Sequence, residues 1–173
     1  MTVFTYPPIS YRLVALVTFL LLVLPLGLTA LTAHLMDKSS TTKLLIPPLV
    51  VCLPLAALAV YQIGAGNIAI SPDRLNIQAG FYRTSVRLQD LRISEARILP
   101  ADPKDPTLSY LRTNGVGLPG YGAGWFRLRN GRNAFVAHRG GDLVYVPTTG
   151  NFDLILGPEN PETFLKELTH ATR

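Results

Sequence analysis

Two long stretches without charge constrain this sequence most. No Lys, Arg, Asp or Glu occurs in the 24 residues between Arg12 and Asp37, or in the 29 residues between Lys43 and Asp73. A helix of about 20 apolar residues crosses the ~30 Å hydrocarbon layer of a bilayer. Both stretches contain apolar runs of that length, so the first part of the chain is typical of membrane-spanning helices.

The spans are predicted at residues 13–36 and 44–63, which together form a transmembrane helical hairpin over residues 13–63. Both are apolar on all sides, which excludes amphipathic surface helices. A cleaved signal peptide is the competing interpretation of the first span, but its apolar run exceeds a 7–15-residue signal core and a second span follows. Residues 1–12 are expected to form an N-terminal tail.

The positive-inside rule orients the hairpin by a margin of one charge. The flanks carry Arg12, Arg74 and Arg83, whereas the turn between the spans carries Lys38 and Lys43. Because positive residues favour the cytoplasmic side, both ends and the domain that follows are expected to be cytoplasmic.

Composition excludes several classes of protein. Apolar residues make up 48% of the chain and charged residues 16%, so a disordered chain is excluded. A single cysteine allows neither an internal disulfide nor a paired-cysteine zinc site. The net charge is only +5, and the sequence lacks the dense stripe of basic residues that is typical of a nucleic-acid-binding protein. The sequence therefore predicts no metal, no cofactor and no nucleic-acid partner.

From residue 66 onward the apolar pattern changes to period two, which predicts strands. Residues 67–99 are expected to form four strands, with a turn at 71–73 and a one-residue bulge before Ala96. Residues 82–88 alternate as a half-buried strand. Residues 100–124 contain four Pro and five Gly and are expected to form a long loop or short segments joined by turns.

Two hairpins are predicted next. Asn130-Gly131 is a strong signal for a two-residue turn, which would place Arg129 opposite Arg132, Phe126 opposite Phe135 and Trp125 opposite Val136. Gly140-Gly141 predicts a second hairpin, with Arg139 opposite Asp142. A last strand is expected over Phe152–Leu156.

A C-terminal helix is predicted to follow that strand. Asn160 is a good N-cap, and Pro161 is a good first helical residue. Phe164, Leu165 and Leu168 form its apolar stripe. The helix is expected to cover an open end or edge of a bent sheet.

This element order resembles the pleckstrin-homology fold. The segment 111–140, LRTNGVGLPGYGAGWFRLRNGRNAFVAHRG, is similar to the bacterial PH-domain family of small membrane proteins, and GPENPETFLKEL at 157–168 is similar to its closing turn and helix. The resemblance covers roughly residues 66–170. It implies an all-β PH-like barrel of seven or eight antiparallel strands over residues 66–173, capped by a helix and joined to two transmembrane helices. It also implies a non-enzymatic module in a bacterial inner membrane.

Four arginines are the best candidates for contact with an anion or an acidic partner: Arg127, Arg129, Arg132 and Arg139. Arg127 and Arg129 share one strand face, and like charges placed opposite each other need solvent or an anion between them. A solvated surface is the plainer interpretation, because exposed charge pairs contribute little. Near an anionic leaflet each basic residue gains roughly 1 kcal/mol.

Aromatic residues near the long loop supply a candidate interface: Tyr110, Tyr121 and Trp125. Trp125 can equally be a packing residue. The leading hypothesis is a membrane-anchored interaction module that uses these residues and open strand edges to bind a protein partner or a second copy. A module that senses anionic lipid headgroups is the alternative. An enzyme acting on a membrane-associated substrate is the least favoured, because no acid–base pair or nucleophile motif is evident.

Overall fold

The computed structural model describes residues 1–35, 41–100 and 110–172. The chain divides into two compact units. One unit is Ile9–Gly64, here called the helical unit. The other, here called the β domain, combines Met1–Pro8 with Ala65–Arg173. The helical unit is therefore inserted near the beginning of the β domain.

The helical unit contains the two predicted apolar helices. The first consists of α1 (Tyr11–Thr18), a π turn (Phe19–Val23) and α2 (Leu24–Leu35), and the second is α3 (Thr41–Gly64). Pro25 lacks an N–H and cannot continue a regular helix ladder. The turn before it accordingly widens, so that the Leu24 N–H donates to the Phe19 carbonyl.

The large apolar side chains of these helices face outward. The segments Tyr11–Leu35 and Leu44–Gly64 are long and apolar enough to cross a bilayer. Exposed apolar residues occur along the length of both segments, among them Leu28, Leu31, Val50, Val51 and Leu55. Such surfaces are costly in water.

The first sheet has the strand order β1-β2-β3-β4: β1 (Thr2–Phe4), β2 (Gly66–Ile70), β3 (Arg74–Ala79) and β4 (Tyr82–Arg87). All its pairs are antiparallel. The predicted turn between β2 and β3 is confirmed, because the Ser71 N–H donates to the Arg74 carbonyl at 2.8 Å. β4 alternates between exposed and buried positions as the sequence predicts.

The first strand departs from the predicted N-terminal tail. Thr2 lies opposite Ile70 and Phe4 opposite Ile68, so residues from before the helical unit extend the sheet. The Phe4 ring also packs edge-on against Phe164, with 5.2 Å between ring centroids. Segment 1–8 therefore belongs to the β domain.

The bulge predicted before Ala96 is wrong. Two short 3₁₀ turns, Leu88–Asp90 and Ile93–Glu95, follow β4 instead. They change the phase of the apolar pattern and carry the chain across to the second sheet, where β5 (Arg97–Leu99) pairs with the strand Leu143–Val146. Only three of the four expected strands therefore share a sheet.

The second sheet has the order β5-β9-β10-β8-β7-β6. Its remaining strands are β6 (Tyr110–Leu118), β7 (Tyr121–Leu128), β8 (Asn133–His138), β9 (Leu143–Val146) and β10 (Phe152–Leu156). The described ranges thus contain ten strands in two sheets and not a closed barrel of seven or eight. The pairing of β8 with β10 is parallel, which also corrects the expectation of antiparallel strands throughout.

The Gly140-Gly141 hairpin is wrong as predicted. The turn exists, and both glycines have positive φ, 87° and 73°. However, β10 lies between β8 and β9, so Arg139 and Asp142 do not face each other across a strand pair. Sequence alternation cannot show that a later strand takes the central place.

The Asn130-Gly131 turn is one residue longer than predicted. The Arg132 carbonyl accepts from the Leu128 N–H at 2.8 Å, which leaves three residues in the loop, with Gly131 at φ 82°. This is a three-residue loop with glycine at the left-handed position. The register therefore shifts by one, and Trp125 lies opposite Phe135.

The loop predicted over residues 100–124 is wrong from Tyr110 onward. Here β6 and β7 form a hairpin with Gly115 opposite Gly124 and Gly117 opposite Gly122. A Cβ on Gly124 would come within 2.6 Å of a backbone oxygen of β6, and its φ is 111°. The glycines therefore permit close strand contact instead of marking a loop. Residues 101–109 of the predicted loop lie outside the described residues.

The C-terminal helix α4 (Pro161–Ala171) is confirmed. The Asn160 side chain caps it by accepting from the Thr163 N–H at 3.1 Å. Phe164 and Leu168 are fully buried. A core cluster of the second sheet includes Phe126, Val136 and Ile155.

Candidate functional site

Both chain connections to the helical unit leave the β domain at the same end, here called the junction end. Ala65 is one connection, and its carbonyl accepts a 2.9 Å hydrogen bond from the Gly80 N–H. The other connection begins after Tyr6, whose hydroxyl donates to the Gln78 carbonyl at 3.0 Å. The turn that contains Gly80 and Phe81 therefore lies directly beside the connections.

A half-buried arginine completes the junction end. The Arg139 guanidinium lies 5.1 Å from the centroid of the Tyr6 ring. Burial lowers the pKa of Arg139 and raises the pKa values of Tyr6 and Tyr121, while the charge of Arg139 partly offsets the latter effect. Arg139 is thus held by neighbouring aromatic groups and is not a freely projecting cation.

His138 precedes this arginine on β8. Burial lowers the pKa of His138 to about 4. The Nδ1 atom accepts a 3.2 Å hydrogen bond from the Gly140 N–H, so the neutral ring carries its proton on Nε2. This histidine serves the β8–β9 turn as a neutral acceptor.

The opposite end of the second sheet, here called the distal end, carries Arg127 and Arg129. β7 runs from Tyr121 at the junction end to Leu128, seven steps that span ~23 Å at ~3.3 Å per residue. Arg127 and Arg129 are both exposed. The described part of the chain gives neither of them an acidic partner.

An open cleft of about 470 Å³ lies at the distal end. The Arg97 guanidinium lies over the Tyr145 ring at 5.0 Å, so that Arg97 and Arg129 line the same cleft. Sequence analysis missed Arg97 because its strand reaches this sheet through the two 3₁₀ turns. The cleft is lined by Glu95, Arg97, Leu128, Arg129, Asn130, Tyr145 and Pro147.

Arg132 is committed to an internal ion pair. Its Nε and one terminal nitrogen donate to the two carboxylate oxygens of Asp153 at 2.9 and 2.8 Å. Asp153 is fully buried and also accepts from the Tyr145 hydroxyl at 2.8 Å and the Thr148 N–H at 3.2 Å. The hydrogen bond to Asp153 raises the pKa of Arg132, whereas burial and the hydrogen bond to Asp153 raise the pKa of Tyr145 to about 12.

The structure therefore does not assemble the four candidate arginines into one site. Arg127 and Arg129 remain exposed together at the distal end. Arg132 is nearby, but its guanidinium is bound to Asp153. Arg139 lies at the junction end, about one strand length away. Asp153 lies within the predicted final strand, and no sequence signal distinguished its carboxylate as the partner of Arg132.

The candidate aromatic residues also separate. Tyr121 is 6% exposed and belongs to the core. Trp125 packs edge-on against Phe135 and Phe152, with centroid distances of 5.2 and 5.0 Å, so the packing interpretation describes its contacts. The Tyr110 side chain lies outside the described residues, although Tyr110 begins β6.

β6 forms one edge of the second sheet. Among the described residues it pairs only with β7, and it is nine residues long. Its first half is exposed, with Leu111 at 76%. Leu111 lies opposite Arg127, so an apolar side chain and a cation are adjacent on this edge.

Within the described ranges, no group of three or more His, Cys, Asp or Glu residues could hold a metal ion. The buried polar groups of the domain support its own turns and strands, as Asp153 and His138 do. The arrangement offers surfaces for recognition: an open strand edge, a cleft with two arginines and an exposed turn at the junction end.

Two sheets and a C-terminal helix give the β domain an architecture of the pleckstrin-homology type. A family model described as "Bacterial PH domain" matches residues 66–172, which is more than half of the chain. The chain belongs to the bacterial PH-domain family. No curated protein and no solved structure shows significant similarity to it. PH domains are in general interaction modules for proteins or lipids and not enzymes.

Proposed function

We propose that this protein is a membrane-anchored, non-enzymatic interaction module that binds a protein partner or a second copy through the β6 edge. The observation that carries the proposal is the long exposed edge of β6 on a domain that contains an inserted apolar hairpin. The hairpin fastens the domain to a bilayer, and the edge remains available for pairing.

The anchoring is supported by the outward-facing apolar side chains of both helices. Two spans in series return the chain to the side on which it started. This agrees with β1 and β2, which precede and follow the helical unit and pair in one sheet. The β domain and residues 1–8 therefore share one side, and we propose that this is the cytoplasmic side of a bacterial inner membrane.

The recognition role is supported by the chemistry of the β6 edge. An open strand presents unpaired N–H and C=O groups to which another strand can be added. Leu111 adds apolar area, and the exposed Arg127 and Arg129 beside it favour a partner with acidic side chains. As in other cases where a strand is added to a sheet edge, main-chain hydrogen bonds would supply the affinity of binding, and these side chains would supply its specificity.

The lipid-sensing alternative is favoured by a different observation, the cleft that places Arg97 and Arg129 near each other. An anionic headgroup could occupy this cleft. However, the cleft lies at the distal end, beside Leu128 at the end of β7. The cleft is also lined by Glu95, whose carboxylate opposes an anionic headgroup, so the protein partner is the leading proposal.

Site-specific photocrosslinking in cells tests the proposed interface. A photoreactive phenylalanine at Leu111 is expected to give a discrete protein adduct, either of dimer size or with another protein. The same group at the exposed Lys166 on α4 is the matched control and is expected to give none. A probe at Asn114, on the same strand, is expected to give the same adduct. The proposal requires that Leu111→Lys abolishes this adduct. Equal labelling at both sites, or none at β6, would contradict it.

Hydrogen exchange of the full chain in nanodiscs tests the lipid alternative. Protection of the 129–132 turn in anionic but not neutral bilayers, lost in the Arg97→Ser/Arg129→Ser variant, would favour headgroup binding. Equal exchange in both bilayers is the result expected from the proposed function.

A further inference from the structure

The exposed aromatic residue of the β3–β4 turn points to a contact that the open strand edge does not explain. Phe81 is 68% exposed, although most large apolar residues of the β domain are buried. A lone exposed phenylalanine on a soluble domain needs no explanation. Its position beside the chain connections supplies the second, independent observation.

The turn is hydrogen-bonded to the point at which the chain leaves the helical unit. The Gly80 N–H donates to the Ala65 carbonyl at 2.9 Å. Ala65 is the single residue between the end of α3 at Gly64 and the start of β2 at Gly66. The apolar segment Leu44–Gly64 therefore reaches to within one residue of the hydrogen bond that holds this turn.

Further aromatic residues lie near the two helix ends that are joined to the β domain. Tyr11 is the first residue of α1, and Tyr61 lies three residues before the end of α3; both are exposed. Aromatic side chains concentrate where a spanning helix passes through the headgroup region. In an antiparallel hairpin these two tyrosines mark one interface, the one next to the β domain.

We infer that Phe81 inserts into the interfacial region of the bilayer and, with Tyr11 and Tyr61, fixes the junction end of the β domain against the membrane. This inference rests on the proposed anchoring. The turn that carries Phe81 lies close to the end of α3, because only Ala65 and its hydrogen bond with Gly80 separate this turn from Gly64. The partner is the bilayer itself.

Depth-dependent quenching of tryptophan fluorescence tests the inference on the full chain. Trp125→Phe removes the chain's one tryptophan and retains a ring against Phe135 and Phe152. In that background, Phe81→Trp reports on the turn, and the full chain is reconstituted into phosphatidylcholine vesicles brominated close to the headgroup. We expect blue-shifted emission and marked loss of intensity at residue 81.

Two matched positions make the outcomes separable. Asp73→Trp lies on the exposed turn at the other end of β3 and is expected to remain unquenched. Leu55→Trp lies in the middle of α3 and is expected to be quenched by bromine deep in the acyl chains. Quenching at residue 55 together with a residue 81 signal equal to that at residue 73 overturns the inference and leaves the anchoring intact. No quenching at residue 55 overturns both.

A second label covers the case in which the tryptophan background does not fold. A nitroxide is attached at Phe81→Cys in a Cys52→Ala chain that retains Trp125. Greater collision with oxygen than with a water-soluble nickel complex is expected at residue 81, and the reverse at Asp73→Cys. Equal accessibility at the two positions would overturn the inference.

Discussion

Removal of the Arg132 guanidinium is expected to destabilise the β domain far more than removal of a neighbouring exposed arginine. In Arg132→Met, the buried Asp153 carboxylate loses two charge-assisted hydrogen bonds of 2.8 and 2.9 Å. It keeps the Tyr145 hydroxyl and the Thr148 N–H. The variant therefore leaves a partly compensated charge inside the domain.

The magnitude follows from the exposure of the pair. Loss of one partner from a buried ion pair costs about 3–5 kcal/mol. The Arg132 side chain is 42% exposed, so water can replace part of the guanidinium. We therefore expect a loss of about 2–3 kcal/mol in the free energy of unfolding, since surface pairs contribute at most ~1 kcal/mol and buried pairs more. At about 3 °C per kcal/mol, Tm falls by roughly 6–9 °C.

The assay is thermal and urea unfolding of the full chain in detergent, monitored by the fluorescence of Trp125. Arg129→Met is the matched control because Arg129 is exposed, and its effect should remain within about 0.5 kcal/mol. The double variant Arg132→Met/Asp153→Leu should be less destabilised than the sum of the single variants, because it removes the buried charge together with its partner. Equal effects of the two arginine variants, or additive effects in the double variant, would refute the structural role of this pair.

Three further predictions concern the remaining interior. His138 has a pKa of about 4 in the folded chain and ~6.5 in the unfolded chain, so between these pH values the unfolded chain binds more protons. The free energy of unfolding, measured with urea, should therefore fall by up to about 3 kcal/mol from pH 7 to pH 4. The His138→Gln variant should show a flatter pH profile. Gly124→Ala should cost roughly 2–3 kcal/mol, since its Cβ would lie 2.6 Å from a backbone oxygen, whereas Gly117→Ala, with only ordinary contacts, should cost less than half of that by the same measurement. Phe4→Ala should lower the Tm of the β domain by removing an edge-on ring contact worth ~1 kcal/mol or more, while the exposed Val3→Ala should leave Tm nearly unchanged; equal Tm values for these two would argue against β1 as part of the domain.

Local patterns predicted individual elements well where the relevant partners are near in sequence. The Ser71–Arg74 turn, the alternation of β4 and the Asn160 cap all depend on contacts within a few residues. Their hydrogen-bonding groups and apolar periods are visible in the sequence itself.

The candidate site was less predictable because its residues meet through pairings that are distant in sequence. The two-residue interpretation of Asn130-Gly131 placed Arg129 opposite Arg132, but one more residue in the loop changed every partner in that hairpin. A shift of one residue also reverses which groups face each other across the strands. Arg132 thereby reaches Asp153, and Arg97 joins the cleft from β5, the edge strand opposite β6.

The sequence alone determined that two long apolar helices come first and that a strand-rich domain with a terminal helix follows, because hydropathy and periodicity are properties of each segment by itself. Only the tertiary structure decided that residues 1–8 belong to that domain, that β10 separates β8 from β9, and that the glycines of β6 and β7 face each other in a hairpin. Each of these outcomes depends on which strand lies beside which, and strand pairing is chosen by the packing of the whole domain.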